Sequence, residues 1–517
     1  MFIGALDLTI ISAVLPEVII ELQIPLESGL DDAAWMVSGY LLAYTISMTF
    51  MGRVSDLIGR RKAYLICLTI FVLGSIWVAT ADGLPTTLLN TLARRIGQRP
   101  DRAYATLIAL ITGRAIQAFG GGALVPISMA LVGDLFPAHR RAQPLGLIGA
   151  IDTAGWVVGH LYGGIMVQFV DWRVLFWLNV PLGILAFAGI VLMLRRHPQP
   201  RATGGFDLPG AALLALTLAF VSIGLGANTD VSINTTTFDD MAALPPYAVP
   251  MLIGAMISFI LFIVIEWRQR APLIDLRLFK RRNFRAGNLT SLIGGFALMI
   301  GLVIVPILIN IRAESLDMLT ETALTVGIVM SALTIPMALA AVPGGWLSDR
   351  FGYRVPTATG LALAAIGFGL AGLRWTENVT HLEMGSHMIL AGIGLGLTLS
   401  PTSAAVLNDA PDDQRGIAAA IDDMLRLMGM TLAASSLTTI ALRRISALAS
   451  RTIGETVAMT QEAVNIYVAL TAQVIREIAF LAAALCLLAL VPALRMRGGK
   501  NTGPEPIASP SPVPPPK

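Results

Sequence analysis

The run Gly52-Arg53-Val54-Ser55-Asp56-Leu57-Ile58-Gly59-Arg60-Arg61-Lys62 is a charged hairpin set between two long apolar stretches. It recurs at Gly345-Trp346-Leu347-Ser348-Asp349-Arg350-Phe351-Gly352-Tyr353-Arg354, again between apolar stretches and with Gly, Ser, Asp, Gly and Arg in register. A duplicated loop of this kind implies two similar halves. Gly52 and Gly59 are expected to supply positive φ where the chain reverses. Asp56, with Asp349 as its repeat, is placed to accept hydrogen bonds from Arg60 or from the N–H groups opening a neighbouring helix, where negative charge is favoured. The cations Arg53, Arg60, Arg61 and Lys62 would by themselves hold such a loop on one side of a membrane, but they do not explain the repeated glycine–aspartate framework.

With 55% hydrophobic and 13% charged residues over 517 positions, and a mean hydropathy of +0.73, the composition excludes a water-soluble globular fold. The chain reads as an all-α membrane protein. At about 20 residues per crossing, fourteen spans are expected near 2–22, 33–52, 63–82, 103–133, 144–167, 174–194, 208–226, 247–267, 284–311, 322–347, 357–374, 385–408, 416–445 and 475–495. Met1 to Ile24 reads as a retained span and not as a cleaved leader. Loops after even-numbered spans, with the tail, carry roughly 23 of the 36 Lys and Arg, against about 10 elsewhere, which puts both termini and the Gly52 loop in the cytoplasm.

These spans divide into a six-helix bundle over 1–195, two central linker helices over 205–270, and a second six-helix bundle over 283–495. A proline-rich tail over 498–517 reads as disordered. Two stretches expected on the outer side are unusual. In 84–102, Leu84, Leu88, Leu92 and Ile96 repeat every four residues beside Arg94, Arg95, Arg99 and Arg102, the pattern of a short helix lying on the membrane surface. Over 446–474 helical composition continues, and 456–494 as one helix would reach about 58 Å, roughly twice the hydrocarbon core.

Charged residues inside spans are costly and mark functional candidates. They are Asp7, Arg114, Asp152, Asp422, Asp423 and Arg426. Two pairings suit Arg426: neutralisation by Asp422 at i, i+4 within one helix, or an ion pair with Asp7 across the interface, which protonation would break. Arg114 serves either backbone carbonyls or the coupling chemistry. Span five collects Gly149, Gly155, Gly159, Gly163 and Gly164 around His160, a small-residue face that lets helices approach. His160 itself reads as a proton site or as a structural hydrogen-bonded side chain. Cys67 and Cys486 lie in apolar runs and the five histidines are scattered, so no disulfide framework, metal site, cofactor or catalytic triad is indicated, and an embedded enzyme is a remote reading.

Together these residues resemble the major facilitator superfamily, whose signature loop is similar to Gly52–Lys62. The two extra central helices resemble its fourteen-helix drug:proton antiporter branch. So do Leu6 to Pro16, Gly113 to Ala118, Gly155 to Gly164, Trp172-Arg173 and Asn179-Val180-Pro181; the antiporter motif has proline where this chain has His160. A narrower likeness joins Gly121 to Ser128, Gly159 to Gly163, Arg426 to Met430 and Leu437 to Ile440 to mycobacterial pumps that export triacylglycerides with a periplasmic lipid-carrier lipoprotein.

The resemblance implies a monomeric exporter in the bacterial inner membrane, driven by protons and working by alternating access. Its substrate would be lipophilic or amphipathic, a lipid such as a triacylglyceride, with a multidrug:proton antiporter as the alternative. The partners implied are the bilayer, the substrate, protons and the carrier lipoprotein, with no nucleic acid. It further implies Asp7 and Arg426 as a proton-sensitive pair assisted by Arg114, and Asp56 and Asp349 as latches, with Arg350 and Gly352 in the second loop. Only six residues precede Asp7, so a start further upstream is expected.

Overall fold

The computed structural model describes residues 1–22, 30–95, 97, 101–195, 205–226, 247–269, 272–312, 319–452 and 461–498. The proline-rich tail beyond Gly498 lies outside the described residues. Sixteen α-helices and three 3-10 turns, with no strand among the described residues, make up the fold. The helices are α1 Phe2–Glu21, α2 Leu30–Ile58, α3 Arg60–Ala79, α4 Leu84–Arg95, α5 Arg102–Gly122, α6 Leu124–Leu135, α7 Ala142–Phe169 and α8 Trp172–Met193. They continue with α9 Leu208–Gly226, α10 Ala248–Arg268, α11 Arg282–Asn310, α12 Leu319–Phe351, α13 Arg354–Arg374, α14 His381–Asp409, α15 Arg415–Thr452 and α16 Gln461–Arg495. Nine of the described segments are long and apolar enough to cross a membrane.

The packing repeats as the sequence does. In the first half α1 lies on α7, α2 on α5, and α3 on α5 and α8. In the second, α11 lies on α15, α12 on α14, and α13 on α14 and α16. Helices α9 and α10 pair with each other, and α9 leans on α2 and α15. Between the halves, α2 meets α15 and α7 meets α12.

Each expected span falls on helix, with 103–133 covering α5 and α6 in series. The break comes at Ala123, where Pro126 supplies no N–H to the preceding turn. Helix α4 ends at Arg95, short of the expected 102. Its Leu84, Leu88 and Leu92 are 67%, 45% and 57% exposed, while Leu89 packs inward and Thr86 bonds Thr106, so the leucine row faces away from the protein. At the other end of the chain, α16 is described from Gln461, and the expected start at 456 falls in 453–460, which lie outside the described residues. With 38 and 35 residues, α15 and α16 are about 57 and 52 Å long, each longer than a single crossing needs.

Close helix contacts rest on glycine. A Cβ on Gly74 would strike the backbone of Gln117 on α5, and one on Gly295 would strike the carbonyl of Arg426 on α15. A Gly74→Leu variant should lose about 1–3 kcal/mol through overpacking. It should therefore melt earlier in detergent, whereas Gly189→Leu, with nothing within 4 Å, should leave the melting temperature unchanged.

Candidate functional site

The duplicated loops bring the two halves together at one end of the molecule. Asp56, buried near the end of α2, accepts hydrogen bonds from the N–H groups of Gly416 (2.9 Å) and Ile417 (3.0 Å), which open α15 in the other half. Asp349, near the end of α12, accepts from Ala142 and Gln143 (both 3.1 Å), which open α7. Each carboxylate thus satisfies orphan N–H groups at the positive end of a helix dipole. Gly59 (φ 95°) and Gly352 (φ 83°) make the turns that follow. Gly52, expected at positive φ, is helical; it is needed because a Cβ there would strike Ala420 and the Gly416 carbonyl of α15.

Arg60 pairs with Asp56 and reaches Asp134 at 3.1 Å, while Arg415, from the second half, holds the other oxygen of Asp134 at 3.2 Å. Arg141 extends the contact by donating to Asn408 at 2.5 Å. Arg61 is half-buried beside Arg60. Arg350 does not join the latch: its exposed guanidinium stacks near the rings of Trp346 and Phe351. Asp134, Arg141, Asn408 and Arg415 were missed from sequence, although a second duplication signals them. Asp134-x-x-Pro137 with Arg141 four residues on mirrors Asn408-x-x-Pro411 with Arg415 four residues on, and each proline leads into a 3-10 turn.

Inside the first half, Arg114 of α5 and Asp7 of α1 form a fully buried pair, with Nη1 2.5 Å from Oδ2 and Nη2 3.2 Å from the Asp7 carbonyl. Gln117 and Asn179 each donate to Asp7 Oδ1 at 3.1 Å, Ser75 accepts from Gln117 at 2.8 Å, and the guanidinium lies 3.9 Å above the Tyr40 ring. The expected Asp7–Arg426 pair is therefore replaced by Asp7–Arg114. Asp7 is turned into its own half, where α5 and α8 supply four donor contacts within reach.

Arg426 instead pairs with Asp423, one turn earlier on α15. Asp422 makes no ion pair with Arg426: its two oxygens take hydroxyl donors from Ser291 of α11 and Ser403 of α14, each at 2.6 Å, and it acts on Arg426 only through its charge. Asp152 of α7 approaches the same cation from the other half and acts electrostatically on both Arg426 and Asp423. One oxygen of Asp152 and one of Asp423 are buried without hydrogen-bond partners. A cavity lined by Ser291, Leu298, Met337, Leu395, Thr402 and Arg426 opens beside this group. Three carboxylates, Asp152, Asp422 and Asp423, act on Arg426, and the Met1 amine acts on Asp152, so acids outnumber cations and the group is suited to take up a proton.

In α7, Gly155 fits against Ala5 and the Phe2 carbonyl of α1, which makes it a packing contact within the first half. Gly159 is buried; the side chain of His160, with Gly163 and Gly164, lies outside what is described. Among the described residues no group of three or more His, Cys, Asp or Glu is placed to hold a metal ion.

Two repeated halves, joined at one end by reciprocal carboxylate–helix contacts and carrying unbalanced buried charge between them, define a two-domain membrane transporter. The chain belongs to the Major Facilitator Superfamily, whose family model matches residues 1–434 and 290–513. It is 31% identical to a triacylglyceride transporter of Mycobacterium tuberculosis over 530 aligned residues, covering 99% of this chain and 96% of that one. It is 32% identical to the triacylglyceride transporter of Mycobacteroides abscessus, over 84% of this chain and 79% of that one. Among solved structures, the proton:xylose symporter XylE shares the fold at TM-score 0.57 and 15% identity, over 93% and 92% of the two chains. The human organic anion transporter MFSD10 matches at 0.58 and 16%, over 95% and 97%.

Removing Arg114 alone strands a buried carboxylate, so Arg114→Met should lose about 3–5 kcal/mol. The double variant Asp7→Asn/Arg114→Met should recover part of that loss in a double-mutant cycle read by thermal unfolding. Asp56→Ala removes charged hydrogen bonds of about 1.5–3 kcal/mol each. Cysteine-labelling rates at the Gly52 end should accordingly rise tenfold or more as the halves part.

Proposed function

We propose that this protein is a proton-driven exporter of lipids, of the triacylglyceride class, working by alternating access. The observation that carries the reading is the meeting of Asp152 from one half with Arg426 and Asp423 from the other. Relatives that match nearly the whole chain and are triacylglyceride transporters support the substrate class.

Lys and Arg bias makes the latched end cytoplasmic, so the described conformation is closed toward the cytoplasm, with both termini on that side of the inner membrane. Protonation of Asp152 or Asp423 removes a charge that holds Arg426 in place and so frees α7 and α15 to part. The Asp7–Arg114 network is proposed as the proton-sensitive partner of that cluster inside the first half. The latches Asp56 and Asp349 release when the cytoplasmic side opens. In this arrangement 1–195 and 283–495 act as the rocking bundles and 205–270 as the linker pair, with fourteen crossings in all. A monomer suffices, and transport requires no catalytic step. Helices α15 and α16, tied by the Arg444–Glu477 bridge, extend outward as the surface for a periplasmic lipid-carrier lipoprotein.

Uptake into inside-out proteoliposomes under an imposed pH gradient tests this. Labelled triacylglyceride should accumulate in the wild type, and accumulation should fall at least tenfold in Asp152→Asn and Asp423→Asn and collapse in Asp7→Asn. Gradient-driven uptake of a cationic dye without lipid would replace the lipid reading with a multidrug antiporter.

A further inference from the structure

Away from the central cavity, the junction of α9, α10 and α2 buries two carboxyl groups that the transport chemistry above does not use. Asp207 stands at the N-cap of α9, and its Oδ1 accepts from the Gly210 N–H (3.0 Å) and the Gln269 amide (3.1 Å). Glu266, in the last turn of α10, accepts from the Ile274 N–H at 3.3 Å through Oε2. Asp207 is 3% and Glu266 4% exposed. The remaining oxygens, Asp207 Oδ2 and Glu266 Oε1, have no hydrogen-bond partner. Both converge on the bare face of Gly210, where a Cβ would stand 2.5 Å from the first and 2.6 Å from the second.

Arg53 of α2 is the cation that acts on Glu266; it is 7% exposed and its Nε is without a partner. The 272–281 segment contributes the N–H groups of Leu273 and Ile274. Helix α15, which also packs on α9, presents apolar Ile417, Ala418 and Ile421 to the surrounding core.

Two ionised carboxylates facing one small buried space repel, and one guanidinium balances only one of them. A single proton turns the repulsion into a charge-assisted O–H···O bond and satisfies both free oxygens. We infer that Asp207 and Glu266 form a proton-binding pair, a clasp that joins the two linker helices and sets the charge facing Arg53. Because Arg53 lies one helical turn before Asp56, loss of the proton changes the field at the root of the cytoplasmic latch. This site is separate from the Asp152–Asp423 cluster and stands whatever the substrate is.

The test follows unfolding of the full-length protein in mixed detergent–SDS micelles from about pH 5 to 8, for wild type, Glu266→Gln and Asp207→Asn. In the unfolded chain both carboxyls titrate near 4, so the proton held by the folded pair is released on unfolding. Wild-type stability should then fall as pH rises, until the folded pair itself ionises. In that window the wild-type unfolding constant, relative to either variant, should rise about tenfold per pH unit. Arg53→Gln, which keeps both carboxyls and removes the cation, should retain the slope and carry the window to higher pH. Parallel pH profiles for wild type and the folded carboxyl variants, or an Arg53→Gln profile that does not move, would overturn the proposal. A wild-type difference that tracks sodium or potassium concentration instead of pH would also overturn it, in favour of a metal-cation site.

Discussion

The closed end depends on a carboxylate placed at the N-terminus of a helix from the other half. Asp56 takes the N–H groups of Gly416 and Ile417, and Asp349 takes those of Ala142 and Gln143, so the same device is used twice with the halves exchanged. The contact is strong because it is charge-assisted and sheltered, yet it can be undone, since water can satisfy both sides once the halves separate. Gly52, Gly345 and Gly416 serve this contact: a side chain at any of them would hold the helices too far apart for the hydrogen bonds to form.

Between that end and the membrane interior the charges fall into two groups with different prospects. Asp7 and Arg114 are matched, and amide donors supply the carboxylate's remaining needs, so the pair is fully satisfied in this conformation. Around Arg426 the balance is negative, and Asp152 and Asp423, from opposite halves, each keep a buried oxygen without a hydrogen-bond partner and act on each other electrostatically. Unmatched charge in a medium of low dielectric is where a proton has its largest effect. Asp422, one residue from Asp423, is held by two serine hydroxyls and still acts electrostatically on Arg426 and Asp423, so it adds to the negative balance without making the ion pair.

Much of this was legible in the sequence. The repeated Gly–Ser–Asp–Gly–Arg loop pointed to two halves and to the carboxylates that join them, hydropathy to the helices, and the cost of charge in lipid to Asp7, Arg114, Asp152, Asp422, Asp423 and Arg426. Ser75 and Asp134 were not singled out, and Gln117 and Asn179 entered only as members of motifs without a role, because polar residues of ordinary type announce nothing until a partner faces them. The pairing of Arg426 could not be read from spacing, since i, i+3 and i, i+4 neighbours are both within reach on one helix and the winner depends on what surrounds each acid.

The sequence by itself determined that the chain crosses a membrane, that it is doubled, and where its helices lie. Those properties follow from transfer free energy and periodicity, which act locally along the chain. Only the tertiary structure decided which acid meets which cation, that Gly52 is a contact and not a turn, and that Asp207 and Glu266 share one buried space. Those are relations between segments far apart in sequence, fixed by how closely helices pack and by the requirement that buried polar groups find partners.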